Sequence, residues 1–147
     1  MLILFCGFLL SSMSLANDHD PLIGIWKTID EHTGYSLADV HIRKDRKTQQ
    51  YAAIIIQTRG LPGSPAPENC QKCQATQKNQ PLIGLEILSG LRANTADEYH
   101  RGQLLSPNDG QHYRIRARLI NHGKHLILYR SSHLSSAYRP LTWVKID

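Results

Sequence analysis

Apolar and polar residues alternate with a period of two along most of the chain. In the clearest run, residues 113–119, four apolar residues alternate with Arg114, Arg116 and Arg118. Successive side chains of a strand point to opposite faces, so this run predicts a half-buried antiparallel strand with an apolar inner face and a basic outer face. Residues 39–43 alternate in the same way.

Further segments have the length and composition of strands. They are separated by turn sequences such as Asn108-Asp109-Gly110 and Asn121-His122-Gly123. The candidate strands are residues 22–29, 51–58, 82–88, 98–105, 124–130 and 141–146. Seven or eight antiparallel strands in one domain predict an all-β fold, either a closed barrel or a sandwich.

The first sixteen residues, MLILFCGFLLSSMSLA, have the features of a secretory leader. Small residues at Ser14 and Ala16 follow an apolar run that is shorter than the roughly 20 residues needed to span a bilayer. We expect residues 1–16 to be a signal peptide and residues 17–147 to be one periplasmic or secreted domain without a transmembrane segment. No Lys or Arg precedes the run, which is atypical of a signal peptide, and a buried N-terminal strand or helix is the alternative.

Cys70 and Cys73 form a Cys-x-x-Cys pair, and Cys6 lies in the leader. A lone pair in an exported chain favours one disulfide, here within the Pro-rich loop at residues 60–80. No helix pattern follows the pair to activate a thiol, which favours a structural disulfide over a thiol–disulfide oxidoreductase. A zinc site is a further alternative, but it requires four ligands, and the His-x-x-His at residues 122–125 flanks a turn.

Six short sequences spread over the mature chain resemble those of a known family. They are GIWKT at 24–28, CQKC at 70–73, QPLIGLEIL at 80–88, GQLL at 102–105, NDGQHY at 108–113 and TWVK at 142–145. In this order they resemble the domain of unknown function 2147 (DUF2147) family of small exported bacterial proteins. The resemblance implies a lipocalin-like, up-and-down β-barrel of about eight strands with an internal cavity. It implies no catalytic residues.

A lipocalin-like barrel suggests roles for two sets of residues. Gly24-Ile25-Trp26 resembles a lipocalin first strand, in which the Trp closes one end of the barrel under an Arg, and Arg139 is the expected partner. The inward residues expected to contact a small apolar or amphipathic ligand are Trp26, Val40, Ile42, Tyr113, Ile115 and Leu128. A barrel filled by its own side chains is the alternative, because eight strands enclose little space.

The basic face formed by Arg114, Arg116 and Arg118 is the strongest surface signal. Such a face is typical of a solvated outer wall, and attraction to an anionic envelope surface is the alternative. Nucleic acid fits poorly, because no aromatic residues interleave with these arginines to form a stacking platform.

No set of residues in the sequence has the arrangement of a catalytic site. The serines around His133 lack a strand–turn–helix setting, and the adjacent Asp97 and Glu98 would point to opposite faces of a strand. We therefore expect a non-enzymatic binding protein for a small ligand, with no cofactor and no metal. The alternatives are an envelope interaction protein acting through the basic face or the Cys-containing loop, and a Cys-x-x-Cys redox or metal protein.

Overall fold

Eight antiparallel strands close into a barrel in a computed structural model that describes residues 19–131 and 139–146. The strands are β1 (Gly24–Ile29), β2 (Ser36–Lys44), β3 (Tyr51–Thr58), β4 (Glu86–Ala93), β5 (Glu98–Leu105), β6 (His112–Ile120), β7 (His125–Ser131) and β8 (Leu141–Lys145). Each strand pairs with the next along the chain, and β8 pairs with β1. The up-and-down barrel is therefore confirmed, and the sandwich alternative is wrong.

Alternation along the strands, which is strict in β6, separates the interior of the barrel from its outer wall. In β6, Tyr113, Ile115, Ala117 and Leu119 are buried, whereas the residues between them are exposed. All six side chains expected to point inward are buried, and Val40 and Ile42 have no exposed surface. The period-two pattern therefore identifies the inward-facing residues correctly.

The segment before β1 seals one end of the barrel, which we call the closed end. Leu22 and Trp26 have no exposed surface, and the Trp26 indole donates a 3.0 Å hydrogen bond to the Leu22 carbonyl. The Tyr51 hydroxyl donates a 2.6 Å hydrogen bond to Asp20, and the Tyr51 and Tyr99 rings meet edge to face with centroids 5.5 Å apart. These side chains plug the end at which the β2–β3, β4–β5 and β6–β7 turns lie.

Burial at the closed end changes the acidity of both tyrosines. Burial raises the pKa of Tyr99 from 10.0 to about 12, with smaller contributions from the negative charges of Asp20 and Asp97. Burial and then the hydrogen bond to Asp20 raise the pKa of Tyr51 above its ordinary value. Both side chains therefore stay neutral in the folded protein well into the alkaline range.

The cation that packs against Trp26 is Lys145, whereas the sequence predicted Arg139. Its ammonium nitrogen lies 5.2 Å from the centroid of the Trp26 ring and donates hydrogen bonds to the carbonyls of Pro21 (2.6 Å) and Ile23 (3.0 Å). Trp26 is paired with Lys145 across β1 and β8, whereas Arg139 precedes β8 at the other end of that strand and is exposed. The prediction of Arg139 as the closing residue is therefore wrong, because the register of β8 brings its last residue to Trp26.

The predicted strand at residues 82–88 begins four residues later, at Glu86. The preceding residues turn, with Gly84 at a φ of +91° that favours glycine. The Gly84 N–H donates to the Ile55 carbonyl (2.7 Å), and the Ile55 N–H donates to the Leu85 carbonyl (2.9 Å). These bonds attach the end of the long β3–β4 loop to the edge of β3.

Two expectations fall on residues outside the described ranges. They concern the signal peptide at residues 1–16 and the Ser-rich segment around His133. Within residues 19–131 and 139–146, no helix is both long and apolar enough to cross a membrane.

Candidate functional site

The end of the barrel opposite the plug, which we call the open end, contains a cavity of about 170 Å³. Its apolar lining includes Ile55, Leu82, Ile87, Leu104, Leu141 and Trp143. An apolar cavity of roughly 150 Å³ admits a molecule the size of benzene, whereas pockets for drug-sized ligands measure roughly 300–1,000 Å³. The cavity therefore has room for one ring or the end of an alkyl chain.

The β3–β4 loop, residues 59–85, covers part of this cavity. Two of its residues, Pro67 and Leu82, contribute to the lining. The two arms of the loop are joined by hydrogen bonds from the Cys70 N–H to the Gln80 carbonyl and from the Leu82 N–H to the Glu68 carbonyl, both 2.8 Å. The loop is thus an ordered lid whose position depends on contacts with the barrel.

Cys70 and Cys73 form a disulfide within this loop, as predicted. Both residues are almost completely buried, and thiol–disulfide exchange requires an accessible sulfur, so the setting favours a structural bond. His122 and His125 lie at the closed end, away from the cysteines, and cannot complete a zinc site with them. In the described parts of the chain, no three His, Cys, Asp or Glu side chains are grouped to hold a metal ion.

The turn between β5 and β6 packs directly against the disulfide-bonded turn. Gly110 has a φ of +72°, and a Cβ at this position would lie 1.8 Å from the Lys72 carbonyl oxygen and 3.0 Å from the Cys73 nitrogen. Such proximity leaves no room for any side chain. The same turn is tied to β6 by a hydrogen bond from the Tyr113 hydroxyl to the Asp109 carboxylate. Gly110 therefore allows the lid to rest on the barrel.

A partly buried ion pair contributes to the polar side of the cavity. Nη2 of Arg130, near the end of β7, donates to both carboxylate oxygens of Glu31 in the β1–β2 loop, at 2.9 and 2.7 Å. The Arg130 side chain is 5% exposed, and its guanidinium lies 5.3 Å from the centroid of the Tyr113 ring. Arg130 and Glu31 both line the cavity, so a ligand with one polar group would find a charged pair beside an apolar wall.

The six predicted ligand contacts lie elsewhere. Trp26, Val40, Ile42, Tyr113, Ile115 and Leu128 belong to the packed core, and none of them lines the open-end cavity. Alternation along a strand identifies inward residues, but it does not distinguish the two ends of a barrel. This prediction is therefore corrected, and the cavity wall comes from inward residues nearer the open end, including Leu104 and Trp143.

Sequence reasoning also missed the charged pair at the cavity. Neither Arg130 nor Glu31 belongs to a motif that the sequence patterns single out. The available signal was positional, because Arg130 comes almost at the end of β7 and Glu31 follows the end of β1. In an up-and-down barrel, these two strand ends lie at the same end of the molecule.

Comparison with known proteins identifies the family. A family model described as "Uncharacterized protein conserved in bacteria (DUF2147)" matches residues 24–145. The chain belongs to the DUF2147 family. Among curated proteins, none matches this DUF2147 chain.

A solved structure supports the same fold for this DUF2147 protein. It is described as "Protein HP1028 from the human pathogen Helicobacter pylori belongs to the lipocalin family". The two chains superpose with a TM-score of 0.69 at 21% sequence identity, over 86% of this chain and 83% of that chain. At this low identity the likeness shows the lipocalin-like fold alone.

Proposed function

We propose that this barrel binds a small apolar or amphipathic molecule at its open end, in the periplasm or after secretion, without catalysing a reaction on it. The observation that supports the proposal is the cavity of about 170 Å³ between the strand ends and the cysteine loop. Burial of ligand surface in such a site is favourable by roughly 0.8 kcal/mol for each CH₂ group. The alkyl part of the ligand drives binding until the cavity is full.

The Arg130–Glu31 pair favours an amphipathic ligand over a purely apolar one. A polar group at one end of the ligand would hydrogen-bond to this pair while the apolar part contacts residues such as Trp143. A hydrogen bond to a charged group contributes more than one between neutral groups. A linear alcohol is therefore a suitable probe, because its hydroxyl can both donate and accept.

Calorimetric titration with linear alcohols of increasing length tests the proposal. The affinity should rise about fourfold for each added CH₂, which corresponds to roughly 0.8 kcal/mol, and then stop rising when the cavity is filled. Ala38→Phe should abolish binding, because Ala38 lines the cavity and the ring would fill it. Ala52→Phe, on the outer side of β3, adds the same bulk away from the cavity and is the matched control.

Absence of saturable binding across the series would contradict the proposal. Equal binding by the wild type and the Ala38→Phe variant would also contradict it, because the ligand would then lie outside this cavity. Native mass spectrometry of the mature protein, purified from its own compartment, would identify the natural occupant by its mass.

A further inference from the structure

A groove of about 760 Å³ runs along the outer wall of β5, β6 and β7. The outward side chains that line it are Arg101, Gln103, Arg114, Arg116, Tyr129 and Ser131. Among the described residues, no carboxylate belongs to its lining. The groove lies on the outer wall, and Arg130, which is paired with Glu31, borders both the groove and the open-end cavity.

The register of the strands brings the polar side chains of the groove together. Arg114 is paired with Gln103 on one side and Ser131 on the other, and Arg116 is paired with Tyr129. Arg114 and Arg116 are two residues apart on one strand, so their Cα atoms are separated by roughly 7 Å. The Arg116 guanidinium lies 5.2 Å from the centroid of the Tyr129 ring, which holds this charge against the wall.

Arg101 reaches the groove from an irregular point in β5. The β5–β6 register shifts between Tyr99 and Gly102, and Arg101 has a φ of +60°. A side chain at positive φ strains the backbone, and bulges of this kind re-aim a side chain relative to the regular strand. Glycine would adopt this conformation without strain.

Three of the four arginines that line the groove have no carboxylate partner within the described part of the chain. Arg101, Arg114 and Arg116 form no ion pair there, whereas Arg59 and Arg130 are each paired with a carboxylate. Arg118, which the sequence placed on the same basic face, is paired in register with Glu98 and does not line the groove. Besides Arg130, the arginines with side chains at the groove are therefore Arg101, Arg114 and Arg116, and Arg118 is not among them.

We propose that this groove docks the protein on an anionic lipid surface, with the three arginines on lipid phosphoryl groups. Exposed arginines hold a single dissolved anion weakly, because water and salt screen each ion pair. A lipid surface presents many phosphoryl groups at once, and each basic residue near it adds roughly fivefold to the affinity. The groove is open to solvent along the wall, so an extended lipid surface can reach it. The net charge of +5 favours the approach of the protein to an anionic membrane.

Cosedimentation with lipid vesicles tests the proposal. The mature protein should bind vesicles of phosphatidylcholine mixed with phosphatidylglycerol, and should not bind phosphatidylcholine alone. Arg114→Gln/Arg116→Gln should weaken binding about 25-fold, from roughly fivefold for each charge. The matched control is Arg46→Gln/Lys47→Gln, which removes the same charge from the exposed β2–β3 turn at the closed end and should have a much smaller effect.

Arg101→Gly separates recognition from folding. This variant should bind the anionic vesicles about fivefold more weakly, while its thermal unfolding midpoint stays the same or rises because the positive φ now suits the residue. A loss of binding accompanied by unfolding would assign Arg101 a structural role and would remove it from the proposed site.

Three results would overturn the proposal. The first is no binding of the wild type to anionic vesicles at low salt. The second is an equal loss of binding in the groove variant and the control variant, which would indicate general attraction by net charge. The third is saturable binding of dissolved inorganic phosphate in the groove without vesicle binding, which would make the groove a site for a soluble anion.

Discussion

Replacement of Gly110 by Ala tests the contact that holds the cysteine loop over the cavity. The added methyl group would lie 1.8 Å from the Lys72 carbonyl oxygen, on a residue whose φ is +72°. The left-handed backbone costs about 1–2 kcal/mol for a residue with a side chain. The steric overlap forces the loop or the turn to move, which costs about 1–3 kcal/mol more. The expected loss in the free energy of unfolding is about 2–5 kcal/mol.

Gly34→Ala is the matched control for this substitution. Gly34 lies in the β1–β2 turn at a φ of +75°, and no atom of the described residues lies within 4 Å of the position that its Cβ would occupy. Gly34→Ala should therefore lower the free energy of unfolding only by the cost of the left-handed backbone, about 1–2 kcal/mol. Urea unfolding of the two oxidised variants, followed by tryptophan fluorescence, should therefore separate them by about 1–3 kcal/mol.

Equal destabilisation by Gly110→Ala and Gly34→Ala would refute this reasoning, because the loop would then not rest on the β5–β6 turn. A double-mutant cycle sharpens the test. In a Cys70→Ser/Cys73→Ser background the loop can yield, so the extra effect of Gly110→Ala should shrink. An extra effect of undiminished size would show that the disulfide does not hold the loop against the turn.

Three further predictions concern the closed end. Leu22→Ala should lower the free energy of unfolding by about 2–5 kcal/mol in urea titrations, because the side chain is fully buried in the plug; a loss below about 1 kcal/mol would show that the plug contributes little. Lys145→Met should lower the thermal unfolding midpoint, because it removes two hydrogen bonds and the contact with Trp26. Arg139→Met should leave the midpoint unchanged. A lower midpoint for Arg139→Met and an unchanged one for Lys145→Met would restore Arg139 as the closing residue. The stabilisation linked to neutral Tyr99 is fully present below pH 10.0 and is lost as the pH rises to about 12, because the unfolded tyrosine ionises first. Tyr99→Phe should therefore unfold less steeply with pH in this range, and identical alkaline unfolding curves would count against the raised pKa.

Much of the architecture follows from local patterns in the sequence. The alternation in β6 is nearly perfect, and it identifies both the strand and its buried face. Turn sequences such as Asn121-His122-Gly123 mark the hairpins, since positive φ values are needed there and all three residues adopt them. These signals act over a few residues, and a single sequence is sufficient to interpret them.

The remaining features depend on contacts between distant parts of the chain. The pairing of Trp26 with Lys145, rather than with Arg139, depends on the register between the first and last strands. The entry of Arg101 into the basic groove depends on a shift in the β5–β6 pairing. Neither residue is distinguished by its immediate neighbours in the sequence. Register in a barrel is set by the closure of the whole sheet, which local periodicity does not reveal.

The location of the cavity also cannot be predicted from local sequence patterns. Val40 and Leu104 are both inward and apolar, and the sequence around them does not show which one lies near an unfilled space. The difference arises because the segment around Leu22 enters one end of the barrel, whereas the cysteine loop only covers the other. Prediction of the site therefore required knowledge of which end the N-terminal segment fills.

The central claim is that the open end of the barrel, and not the closed end, takes the ligand. The chain has two tryptophans, Trp143 in the cavity wall and Trp26 in the plug. Fluorine NMR of fluorotryptophan-labelled protein, with signals assigned from a Trp143→Phe variant, monitors both ends of the barrel in one titration. Addition of a linear alcohol should shift the Trp143 signal saturably and leave the Trp26 signal in place. A saturable shift of Trp26 alone, or no saturable shift of either signal, would contradict the account.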